Sequence, residues 1–157
     1  MPNEPTTQTT EGTGNSRVTQ FSIFLANKVG ALLDVVKLLN ARDVLVLALT
    51  VQDSADTAIV RIVVSDPESV QQMFIEHAIP FSICALVVVE LKEGATELGR
   101  LLAALLAAEC NIFGSYALLT RPRGRTALAL HVEDNECAIS VLESQRFTIL
   151  SQSDISR

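Results

Sequence analysis

Residues 20–51 read QFSIFLANKVGALLDVVKLLNARDVLVLALTV, and this stretch decides the fold. Gln20 to Leu25 alternates polar and apolar and then runs apolar, as a mostly buried strand does. Leu32, Val35, Val36 and Leu39 then recur at the three-and-four spacing of a helix face, with Asp34 and Lys37 on the polar side. Val44 to Val51 is almost unbroken β-branched residues and leucine, a second strand. Between the first strand and the helix lies the tight turn Asn27-Lys28-Val29-Gly30. The whole is a strand–turn–helix–strand unit of about 30 residues.

The pattern continues in order. Gln52 to Asp56 carries hairpin-turn chemistry, and Thr57 to Val64 is a third strand. Asp66 is placed to cap a helix with Pro67 at its first position, where a missing N–H is harmless. Val70, Met73 and Phe74 form that helix's apolar face, Pro80 closes it, and Phe81 to Leu91 is a long strand. A second turn follows at Lys92-Glu93-Gly94-Ala95, with Thr96 as expected N-cap of a helix carrying Leu98, Leu101, Leu102, Leu105 and Leu106 on one side. Asn111 to Thr120 is a strand, Arg121 to Arg125 a basic hairpin tip read as a solvated loop, and Thr126 to Glu133 the next strand. Asp134 caps a last helix with Ala138, Val141 and Leu142, before a final strand at 147–150.

This second series repeats the first. Leu32, Val35, Val36 and Leu39 match Leu98, Leu101, Leu102 and Leu105 at an offset of 66 residues. Past the hairpin the offset becomes 68, pairing Asp66 with Asp134, Glu68 with Glu136 and Phe74 with Leu142. A hairpin two residues longer in the second half accounts for the change. The fold class is therefore α+β, two tandem βαββαβ ferredoxin-like units, each an antiparallel sheet with two helices on one face. The expected division is a disordered tail at 1–17, a first unit at 18–82 and a second at 83–157. The tail is Thr, Gly, Pro, Asn and Glu without an apolar anchor. Val60 and Ile62 point to one face of their strand and Ile59 and Val63 to the other, yet all four are apolar. Both faces must be buried, so the two sheets are expected to pack on each other or on a second copy of the chain.

Composition narrows the function. Hydrophobic content of 48% suffices for a packed core, built from aliphatic residues because only 4% is aromatic and Trp is absent. A net charge of −6 without a basic block argues against nucleic acid or an anionic membrane as partner. The apolar runs are too short to span a bilayer and no secretory signal is visible, so a cytoplasmic location is expected. Cys84, Cys110 and Cys137 fit neither a disulfide framework nor zinc-ligand spacing and read as buried, reduced residues. His77 and His131 lack a nucleophile or acid at recognisable spacing. No dinucleotide fingerprint, phosphate loop or HExxH motif occurs, so neither catalysis nor a cofactor or metal is expected.

The tandem βαββαβ layout with FSIFLANKVGALLDVVKLL in its first half resembles the ACT domain family of small regulatory amino-acid-binding modules. Asn27-Lys28-Val29-Gly30-Ala31-Leu32 matches that family's loop, with Val29 in the usual proline position. In the second half Asn111-Ile112 matches the family's strand start, Ser115-Tyr116 is similar to its stand-alone tandem members, and His131 to Asp134 with Ala138 and Leu142 fits their last third. Leu45 departs from the Asn usual there, and Ala95-Thr96 stands where Pro-Gly is usual. The resemblance implies a regulatory protein, not an enzyme, that binds an amino acid effector. The implied site is Asn27, Lys28, Val29, Gly30, Ala31 and Leu32. A weaker second site is Lys92, Glu93, Gly94, Ala95 and Thr96 with Asn111 and Ile112. A homodimer is implied, and possible action on a separate metabolic enzyme. The alternative is a degenerate pair that binds no ligand and only dimerises or docks on that enzyme. The chemistry behind the first loop is simple. The first turn of a helix has unpaired N–H groups at the positive end of its dipole, and glycine lets a carboxylate approach them. Asn27 can serve both ammonium and carboxylate.

Overall fold

The computed structural model describes residues 17–26 and 30–156. The expected tail lies outside the described residues except for Arg17, whose guanidinium meets Glu136 at 3.1 Å. The first half comprises β1 (Val18–Ala26), α1 (Ala31–Asn40), β2 (Val46–Asp53), β3 (Thr57–Val64), α2 (Pro67–Glu76) and β4 (Phe81–Leu91). The second continues with α3 (Leu98–Ala107), β5 (Ile112–Ala117), β6 (Thr126–Val132), α4 (Asn135–Ser144), β7 (Thr148–Leu150) and a short α5 (Gln152–Ile155). The last of these was not foreseen in the sequence, although Ser151 and Asp154 form a capping box at its start.

The strands form one antiparallel sheet in the order β2-β3-β1-β4-β6-β5, with β7 also on β4. β4 belongs to both units. Residues 81–86 pair with β1, whereas 87–91 pair with β6 and 88–90 also with β7. The expected division at 82/83 thus falls inside a continuous strand. Each half has the strand order of a split βαβ fold, with β4 closing the first unit and opening the second. The register change read from the repeat is visible in the hairpins. The equivalent pairs Val51↔Val60 and Ala117↔Leu128 enclose residues 52–59 and 118–127, a difference of two.

Strand alternation sorts the side chains into three cores. Phe21, Ile23, Val60 and Ile62 meet Val35 and Leu39 of α1 and Val70, Met73 and Phe74 of α2. Val87, Val89, Leu91 and Leu130 meet Leu101 and Leu105 of α3 and Ala138 and Leu142 of α4. The opposite sheet faces contribute Val18, Leu47, Ala48, Val63, Leu86, Val88, Ala127, Ala129 and Leu150 to a third core, which Ile155 of α5 closes. The two halves of the sheet therefore pack on each other within one chain. The whole sheet curls so that its edge strands meet, with the Leu119 N–H donating to the Leu47 carbonyl at 2.7 Å. A bulge at Leu47, where the β2 register skips from Val46 to Ala48, turns both Leu47 and Ala48 into this inner core.

One polar group crosses the inner core. Gln20, 2% exposed, accepts from the Tyr116 hydroxyl at 2.6 Å and donates to the Cys84 sulfur at 3.1 Å. Burial pushes both the Tyr116 phenol and the Cys84 thiol above their ordinary values, so both stay neutral at pH 7. Tyr116→Phe strands the Gln20 carbonyl away from water and is expected to cost about 1–3 kcal/mol in urea unfolding. Adding Gln20→Leu should recover much of that loss, because no unpaired oxygen then remains.

Asp66 and Asp134 cap α2 and α4 as expected, accepting from the Ser69 and Cys137 N–H groups. The Ser69 hydroxyl and N–H hold the Asp66 carboxyl below its ordinary value, and the Ser151 N–H does the same for Asp154. Depressed folded-state values mean stability that is present above the unfolded value and lost as pH falls through the folded one. The Asp66→Asn, Asp154→Asn double variant should show a shallower loss of stability below about pH 4 than the wild type, read from urea midpoints across the acid range.

Candidate functional site

Of the first loop, Asn27, Lys28 and Val29 lie outside the described residues; Gly30, Ala31 and Leu32 are described. Gly30 is the N-cap of α1 with φ 91°, a left-handed conformation that favours glycine. Apart from its neighbours in the chain, no heavy atom of the described residues lies within 4 Å of the place a Cβ would take. Among the described residues, no side chain caps the first turn of α1. Leu32 packs against the first-half core and fixes the helix start. Asp34, exposed in the same turn, donates its N–H to the Gly30 carbonyl at 2.9 Å. The arrangement offers open helix N–H groups for a carboxylate, with an acidic side chain nearby for an ammonium.

The second loop differs. Its helix is preceded by a 3-10 turn at Gly94–Glu97, and Thr96 does not cap it. The Thr96 hydroxyl instead donates to the Glu93 carbonyl at 2.9 Å. Glu97 folds back, accepting from the Glu93 N–H at 2.9 Å and from Arg100 at 3.0 Å. Arg100 is itself fixed, donating to the Gln145 carbonyl at 2.6 Å and stacking over the Phe147 ring at 4.0 Å. The loop's own carboxylate thus takes the Glu93 N–H, while the first turn of α3, like that of α1, has no side-chain cap among the described residues. Sequence reasoning missed this clamp; the Glu-x-x-Arg spacing of residues 97–100, a same-face pair on a helix, was the available signal.

Asn111 and Ile112 do not join that loop. They follow the other end of α3, a helix about 15 Å long. Ile112 packs into the second-half core, and the Asn111 amide donates to Glu133 at 2.9 Å. Beside them is an open cleft of about 810 Å³ lined by Arg17, Glu109, Cys110, Glu133, Asp134 and Cys137 among others. The Cys137 thiol in it is not activated. Burial, then Cys110 and Asp134, push the Cys137 thiol up. All three cysteines are free; Cys110 is buried, whereas Cys84 and Cys137 are only half-buried, against the expectation that all three are buried.

Other residues singled out in the sequence have structural partners. His77 faces the Met73 carbonyl at 2.9 Å, and His131 packs edge-on against Phe113. The hairpin arginines are not simply solvated: Arg123 pairs with Asp154 at 3.1 Å and Arg125 with the buried Glu90 at 3.4 Å. Among the described residues, no group of three or more His, Cys, Asp or Glu is placed to hold a metal ion. No described helix is long and apolar enough to cross a membrane.

Comparison with solved structures gives the same fold. Protein BT0572 from Bacteroides thetaiotaomicron is 24% identical, with 91% of this chain and 98% of that chain covered, at a TM-score of 0.83. The regulatory subunit of aspartate kinase from Thermus thermophilus, in a ligand-free form, is 13% identical over 85% and 95% of the chains, with a TM-score of 0.55. The corresponding subunit from Thermus flavus is 14% identical over 83% and 93%, with a TM-score of 0.50. No curated protein matches the sequence. A family model described as an ACT domain pair matches residues 16–157, so the chain belongs to the ACT domain family as a tandem pair.

Proposed function

We propose that this chain is a regulatory protein of the cytoplasm that binds a small amino acid at Asn27, Lys28, Val29, Gly30, Ala31 and Leu32 and thereby modulates amino-acid metabolism. The observation that carries the reading is the contrast between the two loops. Gly30 opens α1 at φ 91° with no side-chain cap among the described residues, whereas in the second half the Glu93 N–H ahead of α3 is already held by Glu97. A carboxylate gains direct N–H bonds at the first position and has to displace an internal one at the second. One ligand per chain follows. Self-association into a homodimer and action on a separate metabolic enzyme belong to the same reading, and the aspartate kinase regulatory subunits of the same fold support it by analogy alone.

A thermal-shift screen against the twenty amino acids tests it. A true effector at about 100 times its dissociation constant should stabilise the chain by roughly 2.7 kcal/mol, and calorimetry should return one equivalent per chain. A flat response to all twenty favours the second reading, a pair of ACT domains that only associates with other proteins. The exposed leucines of α3, Leu98, Leu102 and Leu106, are the observation on that side.

A further inference from the structure

The hairpin between β5 and β6 carries three of the chain's 12 basic residues within positions 121–125, RPRGR. In the first half the equivalent span, residues 52–59, holds no Lys or Arg and is two residues shorter. The fold therefore requires neither the extra length nor the charge. Two of the three arginines are engaged in the fold. Arg125 reaches back to the buried Glu90 of β4 at 3.4 Å, and Arg123 crosses to Asp154 of α5 at 3.1 Å. Asp154 is itself fixed, its other oxygen accepting from the Ser151 N–H at 2.9 Å and from the Ser151 hydroxyl at 3.0 Å. Arg121, exposed, has no partner among the described residues.

Hairpin and α5 border a cavity of about 310 Å³ lined by Thr120, Arg121, Pro122, Arg123 and Asp154. That is the lower end of the range, about 300–1,000 Å³, of small-ligand sites. Arg123 and Asp154 neutralise each other, so the charge of Arg121 is left over. The Thr120 hydroxyl oxygen is shielded from solvent and has no hydrogen-bond partner among the described residues. Buried hydroxyls are nearly always bonded, so this one is a donor for which the described chain supplies no acceptor. Arg123 adds a further sign, with its φ of 57° in the left-handed region. Of the five described non-glycine residues there, it alone does not follow one of the four main helices. Glycine would make this turn without strain, so the backbone does not account for arginine at 123; the side chain's place beside the cavity does.

We propose that this cavity binds a small oxyanion, phosphate or carboxylate, held by the Arg121 guanidinium and the Thr120 hydroxyl, with Arg123 set beside them by Asp154. A guanidinium fork donates two parallel hydrogen bonds to either kind of group, and the hydroxyl supplies a third. None of these residues belongs to the first or second loop, so the site stands apart from the amino acid reading.

Calorimetric titration of the full chain with inorganic phosphate, with sodium chloride of equal ionic strength as the blank, tests this. Saturable binding is expected. Arg121→Ala and Thr120→Val should each weaken it on the order of 10-fold or more, as loss of a hydrogen bond to a charged group does. Thr120→Val should also leave the urea midpoint unchanged or raise it, because an unpaired buried hydroxyl is removed at nearly constant shape. A threonine that served the fold alone would show the reverse, a lower midpoint and wild-type phosphate binding, and that result overturns the proposal. Gly30→Asp should bind phosphate as the wild type does; a loss there would place the anion at the first loop and overturn the site. Acetate in place of phosphate identifies the ligand's head: tighter phosphate binding assigns a phosphate-bearing ligand, and tighter acetate binding a carboxylic acid. Heats equal to the chloride blank for both anions, or wild-type affinity in Arg121→Ala, reject the proposal whatever the amino acid screen returns.

Discussion

Phe74→Ala is expected to lower the stability of the entire chain, not of its first half alone, by about 3–5 kcal/mol. Phe74 is fully buried, with its ring 5.6 Å from Phe21 and 5.7 Å from Phe81, so truncation opens a cavity where α2 meets β1 and the start of β4. Independent units would confine the damage to residues before the division. Here β4 carries Phe81 in the first core and Val87 and Val89 in the second, and both halves of the sheet contribute to the inner core. Each half spans roughly 65–70 residues, a size at which one core is marginal alone. Unfolding the first half therefore exposes Leu86, Val88, Ala127 and Ala129 as well. Native-state hydrogen exchange gives the reading. Protection at Leu128 and Leu130 of β6 should fall together with that at Ile23 of β1. If the β6 amides keep wild-type protection while β1 loses it, the two halves are separate folding units.

The layout of the fold was legible because periodicity and repetition agreed. The spacing of Leu32, Val35 and Leu39, the Asp66-Pro67 start and the 66-to-68 offset all reappear in the structure. Element ends were less legible, and the backbone explains why. The four main helices are each followed by a non-glycine residue in the left-handed region, Asp43, Ala78, Glu109 and Arg146. They share the offsets of 66 and 68, yet none is the glycine or asparagine that marks such a stop in a sequence. Which leucines of α3 are buried was not legible, for a different reason. Spacing shows that Leu98, Leu101, Leu102, Leu105 and Leu106 share a broad stripe, but only packing shows that Leu101 and Leu105 are inside and the other three outside. The state of the second loop was hidden too, because Thr96 is a good N-cap by type, and only the contacts of Glu97 and Arg100 show that an internal carboxylate occupies the turn.

Gly30→Asp is expected to weaken binding of the effector on the order of 10–100-fold, the loss that accompanies removal of hydrogen bonds to a charged group. The new carboxylate would sit at the N-cap of α1, attracted by the same uncapped N–H groups and repelling a second anion there. Substitution at φ 91° also strains the backbone by about 1–2 kcal/mol whatever the side chain, so loss of binding alone would not identify the cause. Gly30→Asn separates the two effects. It has the same shape and bears the same strain without the charge, and it should retain binding within a few-fold. Thr96→Asp in the second loop provides the converse control. Glu97 already holds the Glu93 N–H there, so an added carboxylate removes no ligand site and the titration should match the wild type. Equal losses in Gly30→Asp and Gly30→Asn would make the loop a structural turn whose geometry, not its charge, matters. Full binding in Gly30→Asp together with a loss in Thr96→Asp would move the site to the second half and reject the reading of the two loops.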